Sequence, residues 1–112
     1  MEKQYNQLPQ VAFSILLALS LKERHGYEII KQVDEDSSGK IKLGPGALYS
    51  SIKQLRNKGL IAEIKHEDDT QRRYYKLTAA GSRALDDELE YYQNALELAR
   101  QRKFAKDHYG YA

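Results

Sequence analysis

The sequence contains no cysteine and no tryptophan, and only two of its 112 residues are proline. Without cysteine the chain has no disulfide framework, no thiolate metal site and no cysteine nucleophile, which fits a reducing compartment. The longest apolar run, residues 11–21, is interrupted by serine and is too short to span a bilayer. No basic start followed by a small-residue cleavage site marks a signal peptide. We therefore expect a cytoplasmic protein that does not bind membranes.

Patterns typical of catalysis or metal binding are also missing. The three histidines are scattered without the spacing of metal ligands. Neither acidic triplet, residues 34–36 or 67–69, has the alternation and the glycine of a calcium loop. The sequence has no glycine-rich phosphate loop, no nucleophile elbow and no paired carboxylates in an apolar setting. We therefore expect a protein that is not an enzyme and has no metal or cofactor.

Positive charge is concentrated in one part of the chain, although the net charge is only +2. Residues 40–76 carry nine basic and four acidic side chains, whereas residues 1–39 carry four and six. A local basic patch on a nearly neutral chain indicates that a polyanion binds at one place.

The central segment, residues 44–61, has the pattern of a helix that contacts DNA. Its apolar residues Leu48, Ile52 and Leu55 recur at helical spacing. A helix with an apolar back and a polar, cationic front fits the DNA major groove, where amides pair with adenine and lysine pairs with guanine or phosphate. An ordinary amphipathic surface helix is the alternative. The residues of this helix that are predicted to face DNA are Gly46, Ala47, Tyr49, Ser50, Lys53, Gln54 and Asn57.

Two strands are predicted after this helix, over residues 60–66 and 72–77, with the polar turn 67–71 between them. Arg72 and Arg73 at the base of this hairpin are expected to contact phosphates, and we expect the acidic turn to point away from DNA. Lys42, just before the central helix, is a further phosphate candidate. A solvated hairpin whose arginines balance the acidic turn is the alternative.

Helical periodicity also predicts two earlier helices, over residues 8–21 and 27–36, with a turn at residues 22–26 between them. The alternating residues 40–43 predict a very short strand. This order predicts a winged helix-turn-helix DNA-binding domain over residues 1–77, in a chain that is mostly α with a small β-hairpin wing.

A long helix is predicted for the rest of the chain. Thr78 suits its N-cap, the helix runs to about residue 106, and residues 107–112 are expected to form a flexible tail. Its apolar residues follow spacings of 4, 3, 4 and 3, as in a coiled-coil seam. One small domain cannot cover so long a helix, so the seam predicts a homodimer. A helix folded back on its own domain is the alternative. The predicted interface residues are Leu85, Leu89, Tyr92, Leu96 and Ala99.

Four motifs in order resemble the PadR family of bacterial transcriptional regulators. They are HGYEI at residues 25–29, GALY at 46–49, GLI at 59–61 and RRYYKLTAAG at 72–81. The resemblance implies a homodimeric winged helix-turn-helix protein that binds a pseudo-palindromic operator on double-stranded DNA, usually as a repressor. Because it has a single long C-terminal helix, the chain resembles the short subgroup of this family. In some members of that subgroup a flat aromatic ligand binds between the subunits.

The central helix departs from the GTLYP pattern that is usual in the family. Ala47 lacks the hydroxyl with which threonine can meet a phosphate, and Ser50 adds a hydroxyl where proline is usual. Tyr49 matches the family's tyrosine, and its hydroxyl is expected to reach a phosphate. The alternative is a half-buried tyrosine that packs at the edge of the domain, which the sequence does not distinguish from a phosphate contact.

Tyr92 is the predicted ligand contact. Its place on the seam allows the two rings of a dimer to face each other and leave a slot for a planar aromatic molecule. A tyrosine packed in the interface is the alternative. For the whole chain, the competing function is a winged-helix module that binds protein and not DNA. The basic charge of residues 40–76 disfavours that competitor.

Overall fold

A computed structural model describes residues 7–65 and 72–109, with the backbone alone for residues 108 and 109. In these residues the element order is α1 (Gln10–Leu19), β1 (Arg24–His25), α2 (Gly26–Asp36), α3 (Pro45–Asn57), β2 (Ile61–Ile64), β3 (Tyr74–Leu77) and α4 (Ala79–Tyr109). The strands form one antiparallel sheet in the order β1-β3-β2. The predicted fold, mostly helical with a small hairpin and a long last helix, is confirmed. Across the same residues, no helix has the length and apolar character needed to cross a membrane.

The core is built around α1, which is apolar on nearly every side because it lies at the centre of the fold. It packs against α2, α3, α4 and β3. Each large apolar side chain that is buried contributes about 1.5–3 kcal/mol, so packing on this core holds α3 in its orientation. The fully or almost fully buried apolar side chains include Ile15, Leu16, Leu19, Ile29, Val33, Leu48, Ile52, Leu55, Ile61 and Leu85.

The first strand is the main departure from the predicted elements. The predicted turn at residues 22–26 is wrong in part, because Arg24 and His25 pair with Tyr75 and Tyr74 of β3. Arg24 is buried, and its Nε donates a hydrogen bond of 2.9 Å to the Ala18 carbonyl oxygen. A two-residue strand is too short to leave an alternating pattern in the sequence.

The segment between α2 and α3 also differs from prediction. The strand expected at residues 40–43 is wrong, because this segment has no regular structure. Leu43 is buried and Ile41 packs against the core, so the alternation of these side chains reflects a loop that crosses the core edge. The hairpin turn 67–71 and the chain end 110–112, for which expectations were stated, lie outside the described residues.

A clamp joins the end of α3 to the start of α4. The Thr78 hydroxyl donates a hydrogen bond of 2.6 Å to the Gly59 carbonyl oxygen and accepts one of 3.0 Å from the Gly81 N–H. The predicted N-cap is therefore confirmed. A Cβ at Gly81 would overlap the Leu60 carbonyl oxygen, so only glycine lets α4 lie this close to the chain. The direction of α4 is thus fixed relative to α3.

Helix α4 has two different environments along its length. Its first part belongs to the domain core, where Leu85 and Glu88 are buried. Every residue from 91 to 100 is exposed. The helix continues to Tyr109, so residues 107–109 are helical and not part of the predicted tail. At 31 residues it is about 46 Å long, and it projects beyond the domain.

Candidate nucleic-acid interface

Helix α3 turns its apolar side to the core and its polar side outward. Leu48, Ile52 and Leu55 are buried. The helix contains no acidic residue. It begins at Pro45, whose fixed φ angle suits the first position of a helix. The outward surface is therefore hydrogen-bonding and cationic, with no carboxylate on the helix to repel a polyanion. The exposed residues of α3 are Pro45, Gly46, Ala47, Tyr49, Ser50, Lys53, Gln54, Arg56 and Asn57, of which Pro45 and Arg56 were not among the predicted DNA contacts.

Three elements meet beside this surface in an open cleft of about 530 Å³. The start of α2, the middle of α3 and the base of the hairpin supply its walls. We call it the basic cleft, because two arginines line it and no acidic residue does. Its lining residues are His25, Gly26, Tyr27, Tyr49, Arg72 and Arg73.

His25 organises one wall of the basic cleft through a capping box at the start of α2. Its ring Nδ1 accepts a hydrogen bond from the Glu28 N–H, and the Glu28 carboxylate accepts one of 3.1 Å from the His25 N–H. The ring packs edge-on against Tyr74 at 5.4 Å between centroids. Arg72 Nη1 lies 3.4 Å from His25 Nε2, so the cap also contacts the hairpin base. This role of His25 was not predicted from the sequence, although the spacing of His25 and Glu28 is that of a capping box.

Gly26 lets Tyr49 lie across the start of α2. A Cβ at residue 26 would come within 2.5 Å of the Tyr49 hydroxyl oxygen and 3.3 Å of a Leu48 methyl carbon. The Tyr49 side chain nevertheless remains 48% exposed. Its hydroxyl therefore lies at the cleft, in contact with the domain edge, as both sequence interpretations required. Whether it touches a phosphate remains a prediction.

Tyr27 belongs to the outer surface and not to the core. Its side chain is 66% exposed. The Lys31 ammonium lies 5.7 Å from the centre of its ring, at the range of a cation–π contact. The pair adds an aromatic ring and a positive charge at the mouth of the basic cleft.

Two of the predicted phosphate ligands have carboxylate partners within the chain. Arg73 Nε lies 3.6 Å from Glu63 Oε1, and Lys42 Nζ lies 3.0 Å from Asp34 Oδ2. The Lys42–Asp34 pair is exposed and contributes only about 0–1 kcal/mol, so a phosphate can replace the carboxylate there at small cost. Glu63 also faces Tyr75, and burial together with the Glu63 charge raises the pKa of Tyr75. In the described part of the chain, no three acidic or histidine side chains are grouped to hold a metal ion.

The exposed half of α4 carries the predicted seam. Leu89, Tyr92 and Leu96 are 39%, 41% and 52% exposed, and Ala99 is exposed as well. Leu85 differs from the prediction, because it is packed into its own domain and its side chain is not available to a partner. The heptad spacing had included it because a repeat does not distinguish core contacts from contacts with a second chain.

Tyr92 lies where α4 leaves the domain. Its hydroxyl donates a hydrogen bond of 3.0 Å to the buried Glu88, which also accepts 3.2 Å from the Leu8 N–H. The hydrogen bond to Glu88 raises the pKa of Tyr92. The ring packs edge-on against Phe13 at 5.5 Å between centroids. It borders a groove of about 450 Å³ between α1, the end of α2 and α4, which Leu17 and Ile41 also line.

The helix order, the hairpin and the outward polar face of α3 define a winged helix-turn-helix protein. The model of the transcriptional regulator PadR-like family matches residues 15–87. The chain belongs to this family.

Solved structures agree with this assignment. A PadR family transcription regulator from Clostridium difficile is 27% identical, with a TM-score of 0.71 over 83% of this chain and 97% of that chain. A transcriptional regulator from Clostridium thermocellum is 25% identical, with a TM-score of 0.69 over 81% and 87% of the two chains. Bacillus subtilis PadR in complex with operator DNA is 25% identical, with a TM-score of 0.64 over 72% and 47%.

Proposed function

We propose that this protein is a dimeric, sequence-specific DNA-binding transcriptional regulator that represses from a pseudo-palindromic operator on double-stranded DNA. The observation that carries the proposal is the acid-free outer face of α3 beside the basic cleft. A surface with both features matches the two requirements of sequence-specific binding, which are base contacts and phosphate contacts.

In this proposal, α3 lies in the major groove. Lys53, Gln54 and Asn57 face the base edges, since lysine and side-chain amides pair with guanine and adenine there. Tyr49 and the arginines of the basic cleft meet the neighbouring phosphates, and Lys42 exchanges Asp34 for a phosphate. Arg73 keeps its Nε near Glu63 and offers the rest of its 73% exposed side chain to a phosphate. The solved complex of Bacillus subtilis PadR with operator DNA supports the proposal.

The dimer in this proposal forms through the exposed part of α4. Leu89, Tyr92, Leu96 and Ala99 lie on one stripe, and a large apolar patch exposed to water favours association. Two α3 helices joined in this way would contact half-sites about one turn of DNA apart, roughly 34 Å.

The direct test is selection of bound sequences from random duplexes, followed by titration of the selected duplex. We expect Lys53→Ala to weaken binding to an extent that depends on the sequence, and Arg73→Ala to weaken binding to all duplexes equally. Arg83→Ala is the matched control, because it removes the same charge from an exposed position on α4. Binding that neither Lys53→Ala nor Arg73→Ala changes would contradict the assigned surface.

The competing function, a winged-helix module that binds protein and not DNA, makes a different prediction for the same titration. Such a module would show no preference among duplexes and little dependence on salt. The excess of basic side chains in residues 40–76 favours DNA.

We also propose that a planar aromatic molecule binds at Tyr92 between the subunits and releases the operator. The support is the groove that Tyr92 borders, in which Phe13 and Leu17 supply apolar surface. A ligand that fits only one relative position of the two domains would shift the population of dimers away from the DNA-binding form. Tyr92→Ala should abolish stabilisation by planar aromatic compounds while the dimer persists. An unchanged ligand response would remove Tyr92 from the site.

A further inference from the structure

A carboxylate lies just outside the basic cleft, next to one of the two arginines that line it. Glu63 belongs to β2 and is paired with Tyr75 of β3. Because alternate residues of a strand share a face, Arg73 lies on the same face as Tyr75, diagonal to Glu63. Arg73 lines the basic cleft, whereas Glu63 is not among the lining residues. The carboxylate therefore meets the arginine from outside the cleft.

The two partners differ in exposure, and the contact between them is incomplete. The Arg73 side chain is 73% exposed and the Glu63 side chain only 24%. The distance of 3.6 Å from Arg73 Nε to Glu63 Oε1 is too long for a hydrogen bond. Within the described residues, this buried oxygen has no hydrogen-bond partner. Since an unpartnered buried acceptor is destabilising, Glu63 would gain from a hydrogen bond donated by Arg73 Nε.

By its charge alone, Glu63 is unfavourable for DNA binding. A carboxylate beside bound DNA repels the phosphates, and salt screens a partly buried charge less than an exposed one. Its position next to Arg73 offers a compensating benefit. Once Nε is held, the two terminal nitrogens of the guanidinium remain free to donate to both oxygens of a phosphate. A long side chain that is held in advance also loses less conformational entropy when it binds.

We propose that Glu63 is a positioning residue for Arg73 and directs the terminal nitrogens of its guanidinium toward a DNA phosphate at the basic cleft. The bound phosphate fixes Arg73, and Nε then closes to hydrogen-bond distance of Glu63 Oε1, which gains the partner it lacks. The inference rests on the DNA binding of the proposed function. It adds an acidic residue that strengthens this binding without touching DNA.

Two substitutions at Glu63 test the proposal in the full-length chain, by titration of the selected duplex. Glu63→Met removes the carboxylate and keeps the length of the side chain. Glu63→Gln removes only the charge and keeps an oxygen that can accept from Arg73 Nε. Charge alone predicts that both variants bind DNA more tightly than the wild type and to the same extent. Positioning predicts that both bind more weakly, with glutamine closer to the wild type.

We expect Glu63→Met to lower the affinity ~10-fold, because each subunit must then order Arg73 as it binds. Glu63→Gln should lose less, about 3-fold, since a neutral acceptor makes a weaker bond than a charged one. In the Arg73→Ala background the residue at position 63 has no arginine to position. Adding Glu63→Met there should leave the affinity within ~2-fold of Arg73→Ala alone.

Two controls separate positioning from other effects. Asp34→Asn also removes a carboxylate from a basic side chain, that of Lys42, but the pair is exposed. We expect it to leave binding unchanged or to tighten it. Urea denaturation should show that the Glu63 variants are at least as stable as the wild type, because they lose a buried oxygen without a partner.

The proposal would be overturned if Glu63→Met bound the duplex as tightly as the wild type or more tightly. It would also be overturned if Glu63→Met weakened binding equally with and without Arg73, since the effect would then not pass through this arginine. A wild-type chain that bound no duplex would overturn the proposed function as well. Binding by the wild type with no loss in the Glu63 variants would overturn the positioning role alone.

Discussion

Helix α3 leaves one face exposed, whereas the projecting part of α4 is exposed on all sides, and the exposed residues of the two helices differ in chemistry. The outer face of α3 is made of amides, hydroxyls and cations. The outer stripe of α4 is apolar, with Leu89 and Leu96 exposed to water. A polar cationic face suits a hydrated polyanion, whereas an apolar stripe gains most from a dry contact with another protein surface. This difference is the basis for proposing DNA binding on α3 and self-association on α4.

The clamp joins the two proposed binding surfaces, the outer face of α3 and the exposed stripe of α4. Thr78 contacts Gly59 at the end of α3, and Gly81 lies against Leu60 at the start of the next segment. We therefore expect a change in the packing of α4 to change the position of α3. Substitutions that act on one face at a time should separate DNA binding from self-association.

Leu96→Glu should abolish the dimer and with it most of the affinity for a two-half-site operator. A carboxylate would be buried in the centre of an apolar interface, and the variant would bind DNA with a single domain. Because joining two binding modules increases overall affinity by about 10²–10⁴-fold, we expect a loss of this size in duplex titration. Gln93→Glu, on the polar side of the same helix, is the control. A Leu96→Glu variant that remains dimeric would exclude the seam as the interface.

Gly81→Ala should destabilise the fold, because its Cβ would overlap the Leu60 carbonyl oxygen. We expect the free energy of unfolding to fall by about 1–3 kcal/mol, measured by urea denaturation. Gly46→Ala is the matched contrast. Nothing lies within 4 Å of a Cβ added at Gly46, and alanine is favoured over glycine within a helix by about 0.5–1 kcal/mol.

The Gly46→Ala chain should therefore be as stable as the wild type or slightly more stable. If Gly46 approaches DNA closely, its duplex affinity should nevertheless fall. A stable Gly46→Ala variant with unchanged affinity would place this residue outside the interface, and a stable Gly81→Ala variant would contradict the tight clamp.

Salt dependence should distinguish the basic cleft from the rest of the surface. If about six phosphates are met per dimer, the log–log slope of affinity against salt should be about −5. Arg73→Ala removes one contact from each subunit, so the slope should become shallower by about 2. Arg83→Ala should leave the slope unchanged. Equal changes for the two arginines would mean that the effect comes from overall charge and not from a phosphate contact at the cleft.

Local patterns were enough to predict the elements that carry the two faces. The spacing of Leu48, Ile52 and Leu55 predicted which side of α3 is buried, and the hydroxyl of Thr78 predicted the cap of α4. Both depend on neighbours within one or two turns, which the sequence displays directly. Recognition of the family from four motifs is likewise confirmed, since the family model matches residues 15–87.

The features that sequence did not predict depend on distant partners. Strand β1 exists because residues 24 and 25 meet β3, about fifty positions further along the chain. The cap made by His25 was missed because histidine is not among the usual N-cap residues. Leu85 fits the heptad spacing as well as Leu89 does, yet it contacts its own core. A heptad repeat predicts that a residue is buried. Whether its own domain or a second chain buries it depends on the rest of the fold.

The smallest expected effect concerns Tyr92, at the point where α4 leaves the domain. Its hydroxyl donates a hydrogen bond to the buried Glu88. Because this bond raises the pKa of Tyr92 above its usual value, the neutral phenol stabilises the folded state at neutral pH. As the pH rises past about 10, the unfolded chain releases this proton first, and the contribution is lost. Urea denaturation between pH 8 and 11 should therefore show a shallower alkaline decline for Tyr92→Phe than for the wild type. Tyr27→Phe removes an exposed phenol from α2 and is the control. Equal declines in the two variants would mean that the hydrogen bond to Glu88 does not hold α4 to the domain.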